Sequence, residues 1–170
     1  MKLLIASDIH GSAYWCEKLL HAFDNEKADT LLLLGDLLYH GPRNELPQGY
    51  DPKKVFEMLN NKKDKILCVR GNCDADVDQM VLEFPITQET LILELDGNVL
   101  YATHGHKENA AHPPHMCREF YLLNGHFHVP TIESKKGFTY VNPGSISLPK
   151  EGSAHSYIVY ENGVFTLKQL

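Results

Sequence analysis

The sequence predicts a layered α/β protein, an αββα sandwich of two mixed sheets flanked by helices. Three observations carry that expectation. The first half alternates short apolar runs with segments of helical period, the pattern of βαβ units around a largely parallel sheet. The second half holds short strand-like runs separated by turn residues, which reads as hairpins and further strands of a stacked sheet. With 170 residues, 43% of them hydrophobic and 22% charged, the chain can bury a core and is too apolar for disorder.

Lys2–Ser7 is a short apolar run before Asp8 and predicts a buried strand. Cys16, Leu19, Leu20 and Phe23 then fall at i, i+3, i+4 and i+7, one apolar helical face, with Ser12 as N-cap. Thr30–Leu34 is a second buried strand that stops at Gly35-Asp36. Asp51-Pro52 supplies an N-cap and a proline at the first helical position for a helix through Val55, Phe56 and Leu59. Lys65–Val69 is the third strand and ends at Gly71-Asn72-Cys73-Asp74. Beyond about residue 80 helix is expected to be sparse. Thr90–Leu95 and Val99–Thr103 flank Asp96-Gly97 as a hairpin. Phe120–Leu123, Ile132–Ser134, Phe138–Val141, Ser156–Tyr160 and Val164–Leu167 follow as short strands, with turns at Lys136-Gly137 and Glu161-Asn162-Gly163. Asn109–Arg118, which contains Pro113-Pro114, reads as a loop.

No repeat or linker interrupts this order, so one domain over residues 1–170 is expected. Sixteen Lys and Arg against 22 Asp and Glu leave a net charge of −6, which argues against a surface that coats extended nucleic acid. The apolar runs are far short of a membrane span, and the start is too short in apolar residues for a secretory signal. Four cysteines without a CxxC pair complete the expectation of a reduced, cytoplasmic protein. Exposed strand edges and the C-terminal hairpin are compatible with a homo-oligomer.

Ten histidines are the anomaly in the composition. Metal-type residues stand where each strand stops: Asp8 and His10, Asp36, Asn72, His104, then His126 and His128. In open α/β sheets ligands bind beyond the carboxyl ends of strands, so these ends should converge. Two carboxylates, an amide and four imidazoles form a mixed N/O set suited to Mn²⁺, Fe²⁺ or Zn²⁺. Seven donors exceed one open site and suit two sites that share a bridging carboxylate. Singly, Asp-x-His, Gly-Asp and Gly-Asn are ordinary turn or surface pairs. Their joint placement after apolar strands is what points to metal.

The series Asp8-Ile9-His10-Gly11, Gly35-Asp36, Gly71-Asn72-Cys73-Asp74, Thr103-His104-Gly105-His106 and Gly125-His126-Phe127-His128 resembles the calcineurin-like metallophosphoesterase superfamily. Within it, the stretches Gly35–Asn44, Arg70–Asp74, Val77–Met80, Phe84–Thr87 and Asn142–Ser145 are similar to the small bacterial phosphodiesterases of the YfcE type. The resemblance implies a metallophosphoesterase-like fold and two divalent ions, Mn²⁺ first, with Fe²⁺, Zn²⁺ or Ni²⁺ as alternatives. It also implies hydrolysis of a small phosphodiester through a metal-bridging hydroxide. Asp8, His10 and His128 would hold one ion, Asn72, His104 and His126 the other, and Asp36 both. Asn72, Cys73, His104 and His106 are the candidates for catalysis.

Many superfamily members carry histidine where this chain has Cys73, and a thiol is a poorer proton donor for a departing alcohol. His40 and Arg43 lie in the loop after Asp36, where a cation would meet an anionic substrate. Asp74 is expected to orient a ligand. Two other readings stay open: a phosphomonoesterase on the same site, and a non-catalytic protein-interaction scaffold resembling the small retromer subunit. The retention of donor residues at all seven positions favours the enzyme.

Overall fold

The computed structural model describes residues 1–170. In chain order its elements are β1 (Leu3–Ala6), α1 (Ala13–Glu26), β2 (Thr30–Leu33), α2 (Pro52–Asn60), β3 (Ile66–Cys68), β4 (Thr90–Leu95), β5 (Asn98–Thr103), β6 (Phe120–Leu123), β7 (Thr131–Lys135), β8 (Phe138–Asn142), β9 (Ser156–Glu161) and β10 (Val164–Gln169). Two five-stranded sheets result, ordered β10-β9-β1-β2-β3 and β4-β5-β6-β8-β7. Both are mixed. The parallel strands β1, β2 and β3 adjoin the antiparallel β9–β10 hairpin, and the parallel β5, β6 and β8 are edged by antiparallel β4 and β7.

The apolar runs are continuous because both faces of the central strands are buried. Leu3 and Ile5 of β1 face the second sheet, where they meet Leu100, Ala102, Leu123 and Val141, together with Ile158 and Tyr160 of β9. Leu4 and Ala6 face the helices, against Cys16, Leu19, Leu20 and Phe23 of α1 and Val55 and Leu59 of α2. The Ser12 hydroxyl caps α1 by accepting from the Trp15 N–H, and the Asp51 carboxylate caps α2 by accepting from Lys54 N–H. The C-terminal hairpin returns to the first sheet, with Ile158 opposite Ile5. There Tyr160 Oη donates to the Leu95 carbonyl at 3.0 Å, tying β9 to the β4–β5 turn.

Each expected strand forms, with ends shifted by a residue or two. Both helices flank the first sheet. The outer face of the second sheet, Val99, Tyr101, Phe120, Leu122 and Tyr140, is packed instead by Ala110 and Met116 of the irregular chain between β5 and β6. Pro113-Pro114 lies in that chain, and proline lacks the N–H that continues a helix. Two 3₁₀ turns, Lys63–Lys65 and Asp76–Met80, carry no signal that the pattern reading used. No helix is long and apolar enough to cross a membrane.

Leu32, fully buried between the sheets, predicts the energetic centre of the fold. Leu32→Ala should lower unfolding free energy by about 2–5 kcal/mol, whereas Ile92→Ala on the exposed edge should cost less than about 1 kcal/mol. Urea unfolding of both variants checks the contrast, and equal losses would contradict it.

Candidate metal centre

The strand ends deliver their polar side chains to one place from both sheets. β1 leads into Asp8 and His10, β2 into Asp36 and β3 into Asn72. From the second sheet, β5 leads into His104 and β6 into His126 and His128. Asp8, His10, Asp36, His126 and His128 all adopt the left-handed backbone region, with φ between 49° and 63°. Such conformations cost most residues about 1–3 kcal/mol, and Asp and His bear them better than β-branched side chains.

Hydrogen bonds hold these turns. Asp8 N–H donates to Gly35 O at 3.1 Å and His10 N–H to Asp36 O at 2.9 Å. The Ser145 and Ser147 hydroxyls both donate to Asp8 O, at 2.9 and 2.8 Å. Asp8 Oδ2 accepts from His126 N–H at 3.0 Å and so joins the sheets. Asp74 is buried and accepts three backbone N–H groups, from Asp36 and Leu37 at 2.8 Å and Gly71 at 2.7 Å. Its role is therefore to clamp the ends of β2 and β3 together, and it orients no ligand side chain directly. The clamp is close enough that a Cβ at Gly71 would strike the Asp36 carboxylate.

The histidine tautomers follow from their partners. His10 Nδ1 lies 2.8 Å from Tyr39 O, His128 Nδ1 2.6 Å from Leu148 O and His104 Nδ1 2.6 Å from Leu34 O. A carbonyl can only accept, so each Nδ1 carries the proton and each neutral ring presents a bare Nε2. The Nε2 atoms of His10 and His128 stand 3.2 Å apart, and lie 3.5 and 3.2 Å from Asp8 Oδ1. That carboxylate oxygen is buried without a hydrogen-bond partner. His104 Nε2 faces Asn72 Oδ1 at 3.1 Å and Asp36 Oδ2 at 3.4 Å, while Asp36 Oδ2 is also 3.8 Å from His10 Nε2. Lone pairs aimed at one another at these distances repel unless a cation lies among them. The donor set therefore fits metal on both sides of Asp36.

The electrostatics agree. Burial alone would raise the Asp8 carboxyl, but His10, His128 and His104 hold it well below the usual carboxylate range. Burial disfavours a charged His104, yet Asp36 and Asp8 carry its ring up to about 9. His126 goes the other way, pushed down to about 4 by burial and by His104. Burial, then Asp36, pushes the Cys73 thiol up to about 12.

All seven candidate ligands meet in this region, His126 with its ring centroid 5.1 Å from that of His104. Of the four candidates for catalysis, Asn72 and Cys73 line a polar cleft of 320 Å³ over the centre. His104 lies beneath it, fully buried. His106 stands beside the rings of His104 and His126, at 5.5 and 6.2 Å between centroids, without lining the cleft. Cys73 Sγ accepts from Asn72 Nδ2 at 3.2 Å, and Cys73 N–H donates to Asp36 Oδ1 at 2.7 Å. His40 is not in the cleft; it exchanges hydrogen bonds with Asn44, whose Nδ2 donates to His40 O at 2.8 Å. Arg43 is in the cleft, and so is Lys150, which the sequence reading missed because no motif marks it.

A family model described as the calcineurin-like phosphoesterase superfamily domain matches residues 1–163. The chain is 45% identical over 167 residues to phosphodiesterase YfcE of Escherichia coli K12, covering 98% of this chain and 91% of that protein. The solved structure of the E. coli YfcE phosphoesterase superposes with a TM-score of 0.96 at 44% identity, over 99% of this chain and 93% of that one. Vps29 of Entamoeba histolytica, solved with zinc, shares the fold with a TM-score of 0.60 at 16% identity, over 100% of this chain and 98% of that one.

Metal uptake should be linked to proton release. In the metal-free protein His104, carried up to about 9, is protonated at pH 7, so binding through Nε2 must displace that proton. His126, pushed down to about 4, is already neutral and releases none. Apparent affinity for Mn²⁺ should therefore climb as pH rises from about 6 toward 9. Calorimetric titration in two buffers of different ionisation enthalpy reads the release, and identical heats would refute it.

Proposed function

The chain belongs to the calcineurin-like phosphoesterase superfamily, and from that premise we propose that it is a phosphodiesterase that hydrolyses small organic phosphodiesters with two divalent ions. The observation that carries the reading is the convergence of imidazole Nε2 atoms with carboxylate and amide oxygens on both sides of Asp36. Asp8, His10 and His128 would hold one ion, Asn72, His104 and His126 the other, with Asp36 shared. Imidazoles combined with carboxylate and amide oxygens suit Mn²⁺ better than a thiolate-rich set would. Bound there, the two ions would supply an activated water and take up charge on the phosphate oxygens.

The chain's own contribution is positioning. Asp8 and Asp36 are anchored through both their backbone and their side chains, so the donors do not have to reorganise as charge develops. Asn72 is steered by Cys73, whose sulfur accepts a hydrogen bond from the amide Nδ2–H while Oδ1 faces His104. We assign Cys73 to this orienting role rather than to proton donation. The 320 Å³ cleft accommodates a small molecule, and Pro42 is the one apolar residue among those that line it. A monoesterase would share the centre. Five residues held in left-handed backbone, in the three turns after β1, β2 and β6, aim ligand-type side chains at one point, which favours the enzyme over a scaffold. The half-buried Cys73 thiol beside the centre suits a reducing compartment, and we place the enzyme in the cytoplasm.

Chelator-treated protein should lose hydrolysis of bis(p-nitrophenyl) phosphate and regain it with Mn²⁺. Asp36→Asn should lower turnover by about 10²–10³-fold or more, with fewer than two ions retained per chain by elemental analysis. Wild-type turnover with two ions bound in that variant would remove the bridge.

The Cys73 assignment has its own test. If the thiol only orients Asn72, the dependence of rate on leaving-group pKa should have the same slope in wild type and Cys73→Ala. A steeper slope in the variant would show that the thiol protonates the departing alcohol, a contribution of about 10²–10⁴-fold for poor leaving groups.

A further inference from the structure

The cleft holds two cations that the centre does not use. Arg43 reaches it from the loop after β2, and Lys150 from the segment before β9. Both are exposed, and neither has a carboxylate partner or a side-chain hydrogen bond. The other two arginines are paired, Arg70 with Asp76 at 2.9 Å and Arg118 with Glu94. Leaving these two cations unpaired in a chain of net charge −6 concentrates positive charge at one mouth.

Both are also tied to the centre. Lys150 N–H donates to His128 O at 3.2 Å, and the Ser153 hydroxyl donates to Lys150 O at 2.7 Å. Arg43 stands two residues after Gly41, which lies so close to Cys73 that a Cβ there would be 3.1 Å from Sγ. Asn44 N–H closes the turn on Gly41 O at 3.4 Å, and Tyr39 O receives the His10 Nδ1 proton at 2.8 Å. The two cations are thus carried on backbone braced against the residues of the centre.

We propose that Arg43 and Lys150 form a second anion-binding position, so that the substrate is a phosphodiester whose retained alcohol carries a further anionic group, a phosphate or a carboxylate. This rests on the phosphodiesterase reading and adds a substrate class to it. A phosphodiester linkage bears one negative charge, which the centre itself is built to receive. A neutral or cationic substituent would leave Arg43 and Lys150 without a partner, whereas a second anion would engage them in charge-assisted hydrogen bonds.

The test uses p-nitrophenyl diesters with one common leaving group and a second substituent that is neutral (ethyl), cationic (choline), carboxylated (2-carboxyethyl) or phosphorylated (2-phosphoethyl). With Mn²⁺-loaded protein, kcat/KM should be about tenfold higher for an anionic substituent than for ethyl, mostly through KM, and lowest for choline. Carboxylate and phosphate arms then distinguish the two kinds of anion. In Arg43→Gln and Lys150→Gln the anionic-to-neutral ratio should fall toward one, and Arg43→Lys should restore part of it. Calorimetric binding of ethyl phosphate and 2-carboxyethyl phosphate should show the same preference without turnover. Diesters hydrolysed without regard to substituent charge, or a preference that survives both glutamine variants, would overturn the second position while leaving the phosphodiesterase reading intact. Failure to hydrolyse any of the diesters would overturn both.

Discussion

Three imidazole rings donate hydrogen bonds from Nδ1–H to backbone carbonyls, and the character of the centre follows from the Nε2 that each then turns toward it. Rotating any of these rings to present a proton instead would strand a buried carbonyl, at a cost of about 1–3 kcal/mol. The Nε2 atoms therefore stay unprotonated donors toward a metal or take up a proton in its absence. Asp8 sharpens the constraint, because its Oδ1 is buried without a hydrogen-bond partner and faces the Nε2 atoms of His10 and His128. A cation is the natural partner for such a set, and the elevated ring of His104 is the same fact expressed as a proton affinity.

That constraint dictates how the rest of the chain is arranged. Bare lone pairs repel, so they must be pressed together by structure that does not yield. The two sheets do this from opposite sides, and the apolar contact between them, Leu3 and Ile5 against Leu100, Leu123 and Val141, holds the strand ends in register. Asp74 then binds the turns after β2 and β3 to each other, while Asp8 accepts from the turn after β6. Gly125 shows how tight this meeting is, since a Cβ there would collide with Ser7 and Asp8. Burial and the Asp36 charge push Asp74 upward in pKa, and three N–H donors oppose them, which is the expected balance for a carboxylate spent on backbone.

The strands and the ligand-type residues at their ends were legible in the sequence for one reason. A buried strand is a short apolar run, and a polar residue directly after it in several strands has few structural explanations. Asp8, Asp36, Asn72, His104 and His126 could be read that way, and the i, i+2 histidines with them. What could not be read came from tertiary geometry. Ser145 and Ser147 act on Asp8 across 137 and 139 residues of chain, and no local pattern reports such a pairing. Asp74 looked like a ligand-orienting carboxylate because it sits beside Asn72, yet its hydrogen bonds go to backbone. The covering of the second sheet by loop rather than helix was foreshadowed by Pro113-Pro114, but the pattern does not say which face a loop will close. Lys150 carried no signal at all, since a lysine before a turn is the commonest kind of surface residue.

The distribution of charge joins the centre to its surroundings. An acidic chain disfavours polyanions close to its surface, so an extended nucleic acid would meet an unfavourable field around the cleft. A small anion that reaches the mouth of the cleft meets Arg43 and Lys150 there. Screening confines such effects to about 8 Å at physiological ionic strength, roughly the scale of a small cleft. A net acidic surface disfavours large polyanions, and on the proposed reading Arg43 and Lys150 at the mouth would draw in small anionic esters.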